Sequence, residues 1–350
     1  MVNGIEVEGK TERLIEAIKH VTLRYFRQKT FILMKKTIML ICAALCMMTA
    51  CKKEIDIDPE ENDTTPVSNV TEGAIDALYS VSAEQQVRFS KGNLQYQATS
   101  ATFRFAEQQW DRIGADNENI SQYYGGWIDL FGWATSGWDC GNTYYMPYDH
   151  SFVDNYDLGM GYGPLPSRDY DLVGEYANCD WGVYNAISNG GNKPGLWRTL
   201  SSEEWIYLLT QRQDAKKKYA AGAVDGLNGL VLLPDNWTLP EGCTFNAGMG
   251  DGDGREYFAQ KNNYTSAQWQ KMEQNGAVFL PAGGVRQEFS EIIYVGEVGR
   301  YWSVTRCQGT AYLDEWCAYS LYFDSETLLP SDPNNPRDYG RHVRLVCDAE

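Results

Sequence analysis

Hydrophobic and polar positions along the chain predict short strands, two capped helices and one long stretch that is neither. Val87 and Phe89 alternate with polar residues, Lys91-Gly92-Asn93 reads as a turn, and Leu94 and Tyr96 alternate again. Phe103 and Phe105 continue the alternation, so 84–106 is predicted as antiparallel strands. Ser201 with Glu204 forms a capping box, after which Trp205, Leu208 and Leu209 share a helical face. Thr265 with Gln268 repeats the device ahead of Trp269 and Met272, and Gly276 supplies the stop. Leu230 to Leu233, Ala277 to Leu280, Ile292 to Val295 and Tyr301 to Val304 are short apolar runs that predict further strands. Tyr319, Leu321 and Phe323 alternate, as do Val343, Leu345 and Cys347. Few helices among many short strands give an α+β fold.

The stretch 121–185 differs: it is rich in Gly, Trp, Tyr and Asp, with almost no period. Its rings, among them Trp127, Trp133, Trp138, Tyr144, Tyr145, Tyr148, Tyr162 and Trp181, predict a long loop packed on itself. No repeat of 20–50 residues and no second Pro/Ser-rich linker interrupts residues 75–350, which read as one domain.

Composition narrows the function. The 350 residues carry 30 Lys+Arg against 47 Asp+Glu, a net charge of −17. Eight of the basic residues and only four of the acidic ones precede Cys51, so the remainder is more acidic still. Such a surface repels phosphate backbones, and nucleic acid is excluded as a partner. The 23 Tyr and 11 Trp argue against disorder. Beyond residue 50 only His150 and His342 remain, which leaves little for histidine metal sites or Ser/Cys–His catalysis.

The beginning of the chain reads as an address. Lys35 and Lys36 precede the apolar run Thr37–Met48, followed by Thr49-Ala50-Cys51. This is the layout of a secretory signal peptide over 34–50, too short for the ~20 residues of a membrane-spanning helix. Met48-Thr49-Ala50-Cys51 resembles a bacterial lipobox, which implies lipidation at Cys51. Residues 51–74 follow with a dense set of carboxylates plus Pro59 and Pro66, predicting a solvated tether. Anchor and spacer together place a folded domain off a membrane surface. The acidic residues after Cys51 resemble surface-export signals, so the expected location is the bacterial outer membrane, facing outward, with a periplasm-facing orientation left open. Residues 1–33 contain helical spacing from Thr11 to Lys29 (Leu14, Ile15, Ile18, Val21, Tyr25). A charged extension ahead of a signal peptide is better read as a mis-called start, with Met34 as the first residue; a genuine N-terminal helix is the other reading.

Four strings carry a family resemblance over roughly 78–350. Gly195-Leu196-Trp197-Arg198-Thr199-Leu200-Ser201-Ser202-Glu203-Glu204-Trp205 resembles the "WRLPTxxEW" string of the formylglycine-generating/sulfatase-modifying superfamily. Phe279-Leu280-Pro281-Ala282-Gly283-Gly284 resembles its "FLPAAG" strand, Tyr301-Trp302-Ser303 its "YWSST", and Arg341-His342-Val343-Arg344-Leu345-Val346 its terminal "SVRLV" strand. The likeness is strongest to the lipoproteins of the major paralogous domain group. It implies a C-type-lectin-like fold, a small twisted sheet and two helices supporting long loops. The enzymatic branch of that superfamily uses a C-terminal cysteine pair beside "RGGSW". Here Cys307 and Cys317 are separated by nine residues and no RGGSW occurs, so the expectation is no catalytic residue and no enzyme activity.

Several constellations remain. Cys140–Cys179 flank the aromatic stretch and are the first candidate disulfide, worth roughly 3–4 kcal/mol in the chain-entropy model; Cys307–Cys317 is the second, and buried thiols are the alternative. Asp251, Asp253 and Glu256 set three carboxylates in a Gly-rich turn, which makes Ca²⁺ the one cofactor to consider beside none at all. The EF-hand pattern is incomplete here, and a solvated Gly-Asp turn is the preferred reading. Gly159-Met160-Gly161-Tyr162-Gly163 lacks the strand, helix and Lys of a phosphate loop. The pairs Glu203/Glu204 and Asp314/Glu315 have no spacing that singles out a hydrolase dyad. Loops around 306–340 combine aromatic platforms with polar groups: Arg306, Gln308, Tyr312, Asp314, Trp316, Tyr319, Asp324, Asn334 and Asn335. That chemistry suits a glycan, and equally a surface protein partner. The expected function is therefore a lipid-anchored, non-catalytic ligand-binding or adhesin-like protein. An enzyme of the formylglycine-generating type and a structural, fimbria-associated component are the alternatives.

Overall fold

The computed structural model describes residues 70–139, 145–149, 170–287, 291–308, 317–333 and 335–349. Cys51, Cys140, Tyr312, Asp314, Trp316 and Asn334 lie outside them, as do the segments read as signal peptide and most of the tether. A compact unit spans Ser68–Glu350. Its architecture is α+β, built from short and mostly antiparallel sheets with few helices. No helix among the described residues is long and apolar enough to cross a membrane.

The strands run β1 (Tyr79–Ser80), β2 (Gln86–Phe89), β3 (Leu94–Gln97) and β4 (Thr102–Phe105) before two short helices, α1 (Trp181–Tyr184) and α2 (Ser202–Ile206). Then come β5 (Tyr219–Val224), β6 (Leu227–Leu232), α3 (Arg255–Lys261), β7 (Asn263–Tyr264), α4 (Ser266–Gln274) and β8 (Val278–Pro281). The chain ends with β9 (Val285–Arg286), β10 (Ile292–Ile293), β11 (Gly299–Arg306), β12 (Ala318–Phe323), β13 (Leu328–Asp332) and β14 (Val346–Asp348). All three alternating segments expected over 84–106 are strands. Lys91-Gly92-Asn93 does not close a hairpin, however, because β2 pairs with β1 and β14 while β3 pairs with β4. The bend carries the chain from one sheet to another, and Gly92 is needed there because a Cβ would meet the Ala106 carbonyl at 2.4 Å.

Both capping boxes form. Ser201 Oγ accepts from the Glu204 N–H at 3.1 Å while Glu204 accepts from the Ser201 N–H at 2.7 Å. Thr265 and Gln268 make the same reciprocal pair at 3.2 and 3.0 Å, and α4 stops where Gly276 turns to φ 89°. Each cap satisfies amides that helix geometry leaves without partners and is worth about 1 kcal/mol.

The sheet β7-β5-β6-β8 divides two of the three cores. Because side chains alternate along a strand, Leu230, Leu232, Val278 and Leu280 face α2 and the β1-β2-β14 sheet. Val231, Leu233, Ala277 and Phe279 face α4 instead. On that side Trp269 is buried edge-on between Tyr264 and Phe279, with centroids 5.6 and 5.2 Å away. Such ring pairs add about 0.5–1.5 kcal/mol each beyond burial.

The third core gathers β3, β4 and the rings expected to pack on themselves in a loop. Trp133, Tyr170, Leu172 and Trp181 are buried against Trp197, Trp302, Val343 and Leu345. The described parts of 121–185 are therefore wall material of the main core, and 170–185 is largely helical turns. Rings without sequence period still bury when a neighbouring sheet supplies the complementary surface.

Candidate functional site

The C-terminal segment around Gly340–Arg341 threads between two hairpins and forms the back wall of a cavity. Gly340 exchanges backbone hydrogen bonds with Arg286 of β9 (3.1 and 2.8 Å), and Arg341 exchanges a pair with Phe131 (both 2.9 Å). His342 then bonds backbone to backbone with Arg300 and Trp302 of β11, each at 3.0 Å. Gly340 permits this approach, since a Cβ there would lie 2.8 Å from the Cβ of Arg286. The pattern places the Arg341 side chain beside β11 and β12 and opposite the β9–β10 hairpin.

The resulting cavity has a volume of ≈400 Å³, within the range of small-molecule sites. Val285, Ile293 and Val298 are its aliphatic lining. Tyr294, Tyr322 and Tyr339 supply three rings, and Arg300, Arg341 and Gln287 supply the polar groups. Arg300 sits directly opposite Tyr322 across the β11–β12 pair, its guanidinium carbon 4.5 Å from the ring centroid. Arg300 also pairs with Asp332 and donates to Asn335. Tyr322 in turn donates its hydroxyl to Asp324 at 2.7 Å. Tyr294 is 53% exposed at φ 58°, a left-handed backbone that a bulky residue rarely adopts. A three-residue turn back to its carbonyl holds it there.

Arg341 is the most constrained group. It is buried, yet its hydrogen bonds are long and go to neutral oxygens, Asn335 Oδ1 and the Gly340 carbonyl, both at 3.4 Å. Its guanidinium carbon lies 5.1 Å from the Tyr339 ring centroid and 5.7 Å from that of Trp302. Burial, and then the neighbouring Arg300, push its pKa well below the ordinary arginine value, while Asp338, Tyr339 and Asp332 pull it back up. Burying an arginine without a tight carboxylate is costly, and a ligand anion offsets that cost.

The residues chosen from sequence divide among these surroundings. Asn335 is buried and bonds both pocket arginines; Asp324 steers Tyr322 and accepts from the amides of Glu326 (2.9 Å) and Thr327 (2.6 Å). Neither lines the cavity, and both act on residues that do. Arg306 lies apart, its amide donating to Asp171 at 2.9 Å; Gln308 is exposed and Tyr319 half-buried. The sequence pattern does not single out Arg300, Arg341, Tyr294, Tyr322, Tyr339 or Gln287, all of which line the cavity. A signal was present in Arg341 and Arg344, two arginines inside an otherwise apolar strand pattern.

Asp251, Asp253 and Glu256 are exposed, and among the described residues no three His, Cys, Asp or Glu side chains gather where they could hold a metal ion. The turn is organised by Ser325, which accepts from the Gly254 amide at 3.0 Å and donates to the Gly252 carbonyl at 2.9 Å. Cys307 and Cys317 meet through their backbones, the amide of one donating to the carbonyl of the other at 3.2 Å. The Cys307 thiol donates to the Pro333 carbonyl at 3.1 Å. Cys179 is buried in the main core, and its candidate partner lies outside the described residues. His342, the one histidine among the described residues, is buried. Its Nδ1 lies 3.1 Å from the Asp129 carbonyl, which can only accept, so the proton sits on Nδ1.

No protein-family model, curated protein or solved structure matches the chain.

Proposed function

We infer that this is an envelope protein, lipidated at Cys51, whose globular unit has a C-type-lectin-like fold and recognises a glycan or a protein partner without transforming it. The cavity between β9–β10 and β11–β12 is the observation that carries the reading: two guanidiniums, three tyrosines and an amide converge on one small volume. Those groups bind and orient; the lining hydroxyl that meets a carboxylate, Tyr322 with Asp324, has its pKa pushed up by burial and by Asp324, which keeps it a protonated phenol. The apolar run before Cys51 and the acidic stretch after it support display from a membrane. The arrangement of Cys307 and Cys317 speaks against the formylglycine-generating alternative, since both are buried and a reactive thiolate needs exposure and a nearby base or metal.

The test is a glycan array, with capture of surface proteins as its second arm, using the purified mature protein and its Tyr294→Ala variant. Tyr294 is exposed, so its truncation leaves the core intact. A saturable signal lost in the variant is expected. Absence of any saturable ligand in both arms, or oxidation of a cysteine in a peptide substrate, would overturn the reading. Protease shaving of intact cells with mass spectrometry of the mature N-terminus tests lipidation and outward display.

A further inference from the structure

Resting on that reading, we propose that the cavity takes a monoanionic sugar acid of the hexuronate class, with Arg341 as the anchor for its carboxylate. The first argument is charge. Arg300 is already paired with Asp332, and Asp338 acts on both Arg286 and Arg341. Arg341, by contrast, has no carboxylate within ion-pair distance among the described residues, and its two bonds go to neutral oxygens. A planar carboxylate matches the fork of that guanidinium and supplies the charge partner it lacks.

The second argument is the satisfaction of hydrogen bonds. Arg341 is 2% exposed and makes only two bonds, both 3.4 Å long. Both bonds are longer than the usual range, and a carboxylate would replace such weak contacts with short charge-assisted ones. Asn335 Oδ1 is moreover shared between Arg341 and Arg300.

The third argument concerns the rest of the ligand. Three phenols, the Gln287 amide and three aliphatic side chains line a volume of ≈400 Å³. A pyranose offers flat CH faces to the rings and several hydroxyls to the phenols and amide. A purely aromatic acid would fit the rings and leave the polar groups unmatched. Tyr294, held in a left-handed conformation at the rim, is placed to cover one face of such a ring.

Titration calorimetry of the mature protein with D-glucuronate, D-glucose, benzoate and inorganic phosphate tests the proposal. Glucuronate should bind at least tenfold more tightly than each of the others. Arg341→Met should abolish glucuronate binding. Gln287→Glu, a change at a half-buried rim residue outside the core, should weaken glucuronate about tenfold and keep the protein informative if Arg341→Met fails to fold. The proposal is overturned if glucose matches glucuronate, if benzoate or phosphate is preferred, or if Gln287→Glu binds glucuronate unchanged. A neutral glycan found on the array and retained by both variants would sink this inference alone and leave the recognition reading standing. Absence of every ligand in every assay would sink both.

Discussion

The carboxylate of Glu204 grips the guanidinium of Arg198 through two bonds, 2.8 and 2.7 Å long, while closing the capping box of α2. Arg198 also reaches Asp348 of β14 at 2.8 Å, and its backbone pairs with Val346. One acidic side chain therefore joins the helix start, the strand-like run before it and the last strand of the chain.

Removing that side chain should be felt in all three places. Glu204→Ala loses a cap and a charge-assisted pair with little solvent exposure, and should lower stability by about 2–3 kcal/mol. Urea unfolding measures it, with Arg198→Met and the double variant completing a cycle. A coupling near zero between the two would refute the shared role.

Gly283 and His342 occupy one space. A Cβ on Gly283 would stand 1.9 Å from Nε2 of the buried imidazole, which is pinned on its other side by Asp129. Gly283→Ala should cost at least about 1–3 kcal/mol as overpacking. Gly283→Ala with His342→Ala should cost clearly less than the two single losses added together, because the clash disappears with the ring. Additive losses in thermal melts would show that the backbone, not the imidazole, limits residue 283.

The features legible in the sequence were those written by local chemistry. Ser201/Glu204, Thr265/Gln268 and Gly276 announce helix ends through the hydrogen bonds they can make, and the structure uses them so. The alternating segments of β2, β3, β4 and β12 also appear in place, whereas of Val343, Leu345 and Cys347 only Cys347 falls in a strand, β14. In the hairpin β5–β6 the second strand is announced by Leu230 to Leu233, but β5 is not, because Ala220, Ala221, Gly222 and Ala223 have no strand preference. The hairpin's Asp225-Gly226 turn, both residues at positive φ, was the available cue. The cavity was hidden for a different reason. Its walls come from 285–300 and from 322–341, segments joined only by long-range pairing, and its arginine sits in a strand pattern that reads as core. Asn335 and Asp324 have ligand chemistry in the sequence, but their bonds go to the arginines and tyrosine that face the space.

Asp235 sets an acid limit on stability. Burial alone would raise its carboxyl, but hydrogen bonds from Ser80 (2.7 Å) and Gln86 (2.9 Å) and the Arg212 guanidinium outweigh it and hold the group below its usual range. A depressed carboxyl contributes stability above its unfolded value, near 4, and loses it as pH falls through the folded value. Asp235→Asn should be less stable than wild type by about 1–3 kcal/mol at pH 7, and the gap should narrow below pH 4. A gap that stays constant from pH 7 to pH 2, in urea titrations, would contradict the assignment.

Asp180 carries the opposite sign. Its carboxylate caps α1 through the Gly182 amide (2.9 Å) and accepts from the amide (2.7 Å) and hydroxyl (3.2 Å) of Thr199, yet it lies wholly inside the protein. Burial outweighs those bonds and the pull of Arg198, and the carboxyl is pushed up to about 6. Between pH 4 and 6 the folded state therefore holds a proton that the unfolded chain has already released. This group's contribution is largest below pH 4 and declines through that window by roughly 3 kcal/mol. Asp180→Asn removes the titration and leaves one of the three donors facing an amide NH₂, so it should cost stability at pH 4 and recover ground against wild type toward pH 7. Carbon-13 NMR of the side-chain carboxyl gives the direct reading: a midpoint near 6 is expected. A midpoint at or below 4 would mean that the three donors, and not burial, decide its charge.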